Sequence, residues 1–480
     1  RAYAEVEPLV VTLKNDIVFD DATNAAWTPI GTPAVAEGDI DNYFGGCIDG
    51  QGFSIKNWNS TRPLFAYTDA SAVIENITID ASCTLTANYA DGVQYYGAFV
   101  GYHRGTLLNC HVNAALTASG DWGTAEPHVG ALVGRVVVGT VENCTVNGDV
   151  TITNTLVTGG KTSYYGGAVG RVSNGAGVLK GITVTANVSH SAGSTYIAEG
   201  SSNNSDAYVN YGGIVGALAG TCTDCHLTEA TKTFFYGNYV YNGGATGIVN
   251  NHYRTQSVGG IVGQITESGS IANCTMYSPM TLNQYNGDIA GTNSDISRYL
   301  YAGGIVGFSY GSIENCTMYA ALANRSSCLQ QFVGGVVGNV QAEGSVANCA
   351  NEGSAIAAGT SGCGYYQARN NNIGGVIGVT YTTNVSQLSN KADLNCSRMN
   401  NKDSATLSMG GIIGKVETTS GEIDGAGELV NYGKIYSSHT QYNNKYTAIG
   451  GVIGEAKCSV KGVVNEGSAY YTIGEDGGIY

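Results

Sequence analysis

Gly303-Gly304-Ile305-Val306-Gly307, followed by Gly311-Ser312-Ile313-Glu314-Asn315-Cys316-Thr317-Met318, is the stretch whose reading decides the fold. Nearly the same words stand at Gly259 to Gly263 with Gly269 to Met276, and at Gly334 to Gly338 with Gly344 to Cys349. The Gly-[Gly/Ala]-apolar-apolar-Gly word occurs in ten copies, ending at Gly101, Gly134, Gly170, Gly216, Gly263, Gly307, Gly338, Gly378, Gly414 and Gly454. The interval runs from 31 residues, between Gly307 and Gly338, to 47, between Gly216 and Gly263. A fixed word with a variable spacer is one structural unit repeated, with insertions confined to one place in each unit.

The Gly word is short, β-branched and flanked by turn residues, and its glycines would cost a helix ~1 kcal/mol each, so it reads as a buried strand. The following word alternates, with Ile313 inward, Glu314 outward, and Cys316 and Met318 continuing the period of two. A weaker third strand follows, as at Val150-Thr151-Ile152-Thr153. Three short strands per unit, with like words far apart in sequence, predict coils stacked in parallel at ~4.8 Å. The expected fold is all-β: a single-stranded parallel β-helix solenoid of about eleven coils. Residues 1–60 read as an N-terminal cap and first-coil entry, and 61–480 as the repeats. Gly477-Gly478-Ile479-Tyr480 reads as an eleventh word cut short, so the C-terminal coil is expected to be truncated or uncapped and open to end-to-end contact.

Composition narrows the function. Charged residues are 12 %, Gly is 70 and Pro 6, a balance opposite to disorder and unlike collagen. A net charge of −15 with only 22 Lys and Arg argues against nucleic acid and anionic membranes as partners. No apolar run approaches the ~20 residues of a membrane helix. The start at Arg1-Ala2-Tyr3 reads as a trimmed mature terminus.

The ten Gly words, the Ile-x-Asn-Cys words after them, Trp27-Thr28-Pro29-Ile30-Gly31 and Asp49-Gly50-Gln51-Gly52-Phe53-Ser54-Ile55 together resemble the GLUG-type repeat proteins of bacterial cell surfaces, especially adhesin-like proteins of Bacteroides-type bacteria. That resemblance implies a right-handed β-helix and a secreted or surface-exposed bacterial adhesin or glycan-associated factor. Asp403-Ser404-Ala405 is similar to the O-glycosylation signal of such secreted proteins.

Chemistry-bearing residues are sparse in pattern. Of 13 cysteines, six recur at one repeat position, Cys110, Cys144, Cys225, Cys274, Cys316 and Cys349, and are expected to form an internal column of free thiols. Cys222-Thr223-Asp224-Cys225 is the lone C-x-x-C and lacks a second ligand pair at matching spacing, so no metal or cofactor is expected. Glu75, Glu142 and Glu314 recur singly on the outward face, and the seven histidines are scattered without a nucleophile partner. Enzyme activity is therefore not expected; a carbohydrate-active β-helix enzyme or phage tailspike is the first alternative. A structural component of a surface filament or outer-membrane assembly is the second. Asn before five of the six repeated Cys, as at Asn143 and Asn315, reads as a stacked column at a turn or bend.

The functional signal lies in the variable segments before each Gly word, which are rich in Tyr and Asn. Tyr totals 32, against 3 Trp and 9 Phe. Tyr gives rigid contact area with a polar tip, as in recognition loops. The candidate ligand-binding residues are Tyr95, Tyr96, Tyr164, Tyr165, Tyr236, Tyr239, Tyr241, Tyr299, Tyr301, Tyr365 and Tyr366, on an edge expected to bind glycan or a host or partner protein. An aromatic ladder that only stabilises the sheet is the competing reading.

Overall fold

Residues whose aliphatic side chains recur once per unit can all be buried only if the units stack, and they do. In the computed structural model Val262 lies opposite Val306, and Val306 opposite Val337, in parallel register. All three are fully buried. The structure describes residues 10–31, 42–88, 94–123, 125–157, 161–192, 207–229, 233–239, 254–286, 298–324, 326, 330–358, 370–396, 406–439 and 446–473.

The chain is all-β, with long parallel sheets consistent with a β-helical solenoid. Each unit contributes to four of them. An approach sheet of ten strands runs from Tyr95–Tyr96 to Tyr446–Gly450, and a Gly-word sheet of eleven from Phe65–Tyr67 to Ile453–Ala456. The Asn-Cys words build a sheet of 22 strands, and the third strands a sheet of 12, from Asn59–Ser60 to Ala469–Ile473. Inward side chains from all four sheets meet in a single interior cluster that spans Phe19 to Val452.

Two expectations about strands are corrected. The Gly word is a corner, not a strand. The approach strand Arg298–Gly303 ends on its first Gly, and the next strand begins at Val306. A Cβ on Gly304 would press into the Met318 sulfur and the Gly335 carbonyl, so the corner closes only around glycine. The alternation of the next word also breaks at Asn315. Asn76, Asn109, Asn143, Asn273, Asn315 and Asn348 all have φ between 50° and 57°, the left-handed region. One left-handed residue turns the strand, so Ile313, Cys316 and Met318 all point inward, at an uneven spacing of three and then two.

The asparagines stack as expected. Asn109 Nδ2 donates to Asn76 Oδ1 at 3.2 Å, Asn315 to Asn273 at 3.2 Å, and Asn348 to Asn315. The cysteine column is buried too, and each thiol donates to the carbonyl two residues back, at 3.2 Å for Cys144, Cys225, Cys316 and Cys349. Cysteine thus fills a small apolar site and hydrogen-bonds in a dry interior. Burial pushes the Cys144 thiol up to about 12, so it stays protonated.

A second asparagine ladder was not legible in advance. Where two units carry Met276 and Met318, the last four carry Asn351, Asn390, Asn431 and Asn465. Asn390 Nδ2 donates to Asn431 Oδ1 and Asn431 Nδ2 to Asn465 Oδ1, both at 2.9 Å. Each of these amides also reaches the carbonyl two residues on.

At the N-terminal end, strand Val10–Thr12 pairs with Cys47–Asp49, and Ile17–Val18 with Ile55 and Lys56, so this segment continues the stack. A helix over Asp21–Ala26, capped by Asp20, leads into Trp27. Phe19, Trp27 and Trp58 pack with ring centroids 5.5 to 6.2 Å apart over this end of the interior. Gly477 to Tyr480, on which the truncated-word reading rests, lie outside the described residues.

Candidate functional site: an outer cleft at the glycine corner

The third glycine of each word decides the outside of the rod. A Cβ on Gly307 would stand 2.5 Å from the Val258 amide of the preceding unit, and one on Gly170 2.5 Å from that of Val129. Side-chain-free backbone at this position lets the approach sheet and the Gly-word sheet close toward each other on their outer faces. Side chains on the two faces therefore meet across a corner. Tyr301 and Phe308 rings lie 4.8 Å apart, Tyr95 and Tyr102 5.6 Å apart, and Ser408 Oγ donates to Glu455 Oε2 at 2.9 Å. The result is a shallow cleft running along the stack that its own side chains largely fill: Tyr95 and Tyr164 are 8 % exposed and Tyr102 5 %, whereas Tyr299 and Tyr301 are half-buried.

One wall is the column Tyr95, His128, Tyr164 and Asn210, each opposite the next. The facing wall is Tyr102, Arg135 and Arg171. The Arg135 guanidinium lies 5.6 Å from the Tyr95 ring centre and 5.5 Å from that of Tyr102. Its Nη1 donates to Tyr95 Oη at 3.1 Å, and its Nε to Ser173 Oγ at 3.1 Å. Arg171 sits 4.4 Å over the Tyr164 ring, a cation–π geometry. His128 is buried between the rings of Tyr95 and Tyr164, at 5.0 and 4.7 Å. Burial pushes its pKa well down, and the charges of Arg171 and Arg135 push the same way, so this imidazole is neutral.

Farther along, Tyr299, Tyr301 and Phe332 form a stacked group, with Tyr301 and Phe332 4.9 Å apart. At the far end Lys415 pairs with Glu417 at 2.7 Å and Glu455 at 3.4 Å, and Lys457 pairs with Glu417. Burial raises the Glu417 pKa, but hydrogen bonds from Lys415 and Lys457 outweigh it and hold the carboxyl below its ordinary range. Glu417 is thus a paired anion and not a proton donor poised for catalysis.

The candidate tyrosines divide. Tyr95, Tyr164, Tyr299 and Tyr301 line this cleft. Tyr96 and Tyr165 face the other way, into the interior cluster, at 0 % and 1 % exposure, and no ligand reaches them. The reason is the period of two: adjacent strand residues point to opposite faces, so a Tyr-Tyr pair places one ring inside. Tyr236 and Tyr239 lie in strand Thr233–Tyr239, whose backbone alone is described there; Tyr241, Tyr365 and Tyr366 lie outside the described residues. Sequence reasoning missed His128, Arg135 and Arg171. The signal was available, since they occupy the same offsets from their Gly words as Tyr95, Tyr102 and one another.

Cys222 stands where its neighbours carry Leu179 and Ile271, and it turns inward beside the cysteine column. The sulfurs of Cys222, Cys225 and Cys274 lie within 4.8 Å of one another, all buried. The partner that the C-x-x-C lacked in sequence is therefore supplied by the next unit. Such a set of soft donors suits a thiophilic ion in kind; in this structure the three also pack as core side chains.

A parallel β-solenoid with an aromatic-lined outer cleft is the class this geometry defines. Among known protein families, residues 126–152, which carry His128, Arg135 and the Gly word between them, match the GLUG motif. That match supports a GLUG-type repeat protein. Comparisons with curated proteins and with solved structures find no match.

Proposed function

We propose that this chain is a surface-exposed, adhesin-like bacterial protein that binds glycan along the outer cleft. The reading includes a right-handed β-helix of about eleven coils, with residues 1–60 as its cap. The observation that carries it is the cleft itself. Successive units place an aromatic ring, a hydrogen-bonding side chain or a cation on it, at the ~4.8 Å spacing of stacked strands. Sugar rings offer an apolar face to an aromatic side chain and hydroxyls to its polar neighbours, and an extended glycan repeats such units in a row. A preformed scaffold of paired strands would bind without much ordering cost. The localisation, outside the cell on a Bacteroides-type surface, rests on the family resemblance.

A glycan array probed with the purified chain tests the proposal. Binding that is lost on changing Tyr301→Ala, with the far-ultraviolet spectrum unchanged, supports it. Retention of every glycan signal in that variant and in Tyr164→Ala would remove the cleft from consideration. Binding to host proteins, with none to glycans, would replace the ligand class and leave the adhesin reading standing.

A further inference from the structure

We infer that Cys222, Cys225 and Cys274 form a three-thiol site, inside the solenoid, for a soft three-coordinate ion of the arsenic(III) or copper(I) class. The site is interior and independent of the outer cleft.

Three observations carry it. The first is shape. Cys225, Cys274, Cys316 and Cys349 stand in four successive units. Such a column sets its sulfurs in a line, one strand spacing of ~4.8 Å apart, and a line cannot surround an ion. Cys222 turns the line into a triangle. The three sulfurs lie within 4.8 Å of one another, a grouping found at one place among the described residues. Sulfurs held ~2.3 Å from a common centre stand ~4 Å apart, so closing on an ion asks for shifts of under ~1 Å.

The second is that Cys222 departs from its own column. The three units before it carry Leu107, Val141 and Leu179 there, and the three after it Ile271, Ile313 and Val346. All six are buried branched aliphatic side chains. The smaller Cys222 gives up apolar volume where its neighbours fill the interior. What it adds is a third sulfur.

The third is the donor set. Asp224 is exposed, and His226 turns outward, its Nδ1 2.6 Å from Thr275 Oγ1. Among the described residues no His, Asp or Glu joins the three sulfurs. Sulfur alone disfavours hard ions, and a dry cluster offers zinc no fourth ligand. The Cys225 N–H donates to Cys274 Sγ at 3.4 Å and would support the charge of a metal-bound sulfur.

Arsenic(III) on three thiolates is neutral, which suits an apolar interior. Arsenous acid loads the site without redox chemistry: three As–S bonds form, three As–O bonds break, and the three thiol protons leave in three waters. Copper(I) displaces thiol protons to solvent and leaves the site anionic, so arsenic should be held more firmly. All three thiols are buried, so the ion enters as the coils close during folding.

The test is to unfold the full chain in urea under a phosphine reductant, refold it with arsenite, copper(I) or zinc(II), desalt it, and count ions per chain by elemental analysis. Arsenite or copper(I) should remain at one ion per chain, and the probe retained identifies the ion; zinc should be lost. Cys222→Ile installs the residue of the next unit and removes one donor. It should keep the far-ultraviolet spectrum and weaken binding, read by competition with dithiothreitol or bathocuproine. The loss should be at least the roughly tenfold to hundredfold that even a group behind a ligand is worth. Cys349→Leu likewise installs the residue of its next unit, outside the triangle, and should bind as the parent does. Should Cys222→Ile fail to refold, Cys274→Ala, which deletes only the sulfur, gives the same reading. Binding undiminished in the Cys222 or Cys274 variant, equal loss in Cys349→Leu, retention of zinc alone, or no ion held by the parent overturns the site.

Discussion

Replacing His103 by Val should make the protein less sensitive to acid. His103 is fully buried at the end of strand Val100–His103, two residues after the first Gly word, opposite Val136, which in turn lies opposite Val172. The substitution therefore installs the residue that the next two units already use. Nε2 faces the Thr140 carbonyl at 3.3 Å and must donate to it; Nδ1 then accepts from Thr68 Oγ1 at 2.9 Å. This tautomer is neutral. Burial is the main cause that lowers its pKa from 6.5 to about 4. The unfolded chain takes up this proton more readily than the folded one. Stability is therefore complete above pH 6.5, falls as pH drops through the window from 6.5 to about 4, and levels off below it. At about 1.4 kcal/mol per pH unit, the loss is about 2 kcal/mol at pH 5 and about 3 kcal/mol below pH 4. Urea melts of both proteins at pH 7 and pH 5 give the double difference, in which His190, His128 and the carboxylates cancel. His103→Val should cost about 1–3 kcal/mol at pH 7, for two lost hydrogen bonds, and lose about 2 kcal/mol less than the parent between pH 7 and pH 5. The same pH dependence in both proteins, within about 0.5 kcal/mol, would refute the argument that this imidazole is held neutral.

Other outcomes follow from the two asparagine ladders and the thiols. Asn431→Ala leaves Asn390, Gly433 and Asn465 short of partners in a buried ladder and should destabilise by about 2–4 kcal/mol, read as a shift in the urea midpoint. Asn315→Ala should cost about 1–2 kcal/mol because it holds a left-handed φ of 53°; Asn315→Gly should recover most of that in the same assay. Cys110, Cys144, Cys222, Cys225, Cys274, Cys316 and Cys349 are buried, so mass spectrometry after alkylation should find them unmodified until denaturant is added, whereas half-buried Cys47 and Cys458 should react before these seven.

The repeat was legible because stacking copies the same demand into every unit. A position that must be inward, or must lack a side chain, in one coil must be so in the next, and the words at Gly259, Gly303 and Gly334 record it. The asparagine column before the repeated Cys was readable for the same reason. The path of the chain within a unit was less so. A glycine word looks alike as a buried strand and as a corner; only the close approach of Gly304 to Met318 and Gly335 distinguishes them.

What the sequence determined by itself is therefore the periodic part: parallel stacking, the buried Ile and Val columns, and the inward cysteines. Tertiary structure alone decided which face each tyrosine occupies, that Arg135 and Arg171 share a cleft with Tyr95 and Tyr164, and that Cys274 joins Cys222 and Cys225. The physical reason is that periodicity fixes what lies above and below a residue. The corner angles within a coil fix what lies across from it, and those angles depend on backbone contacts that no single word contains.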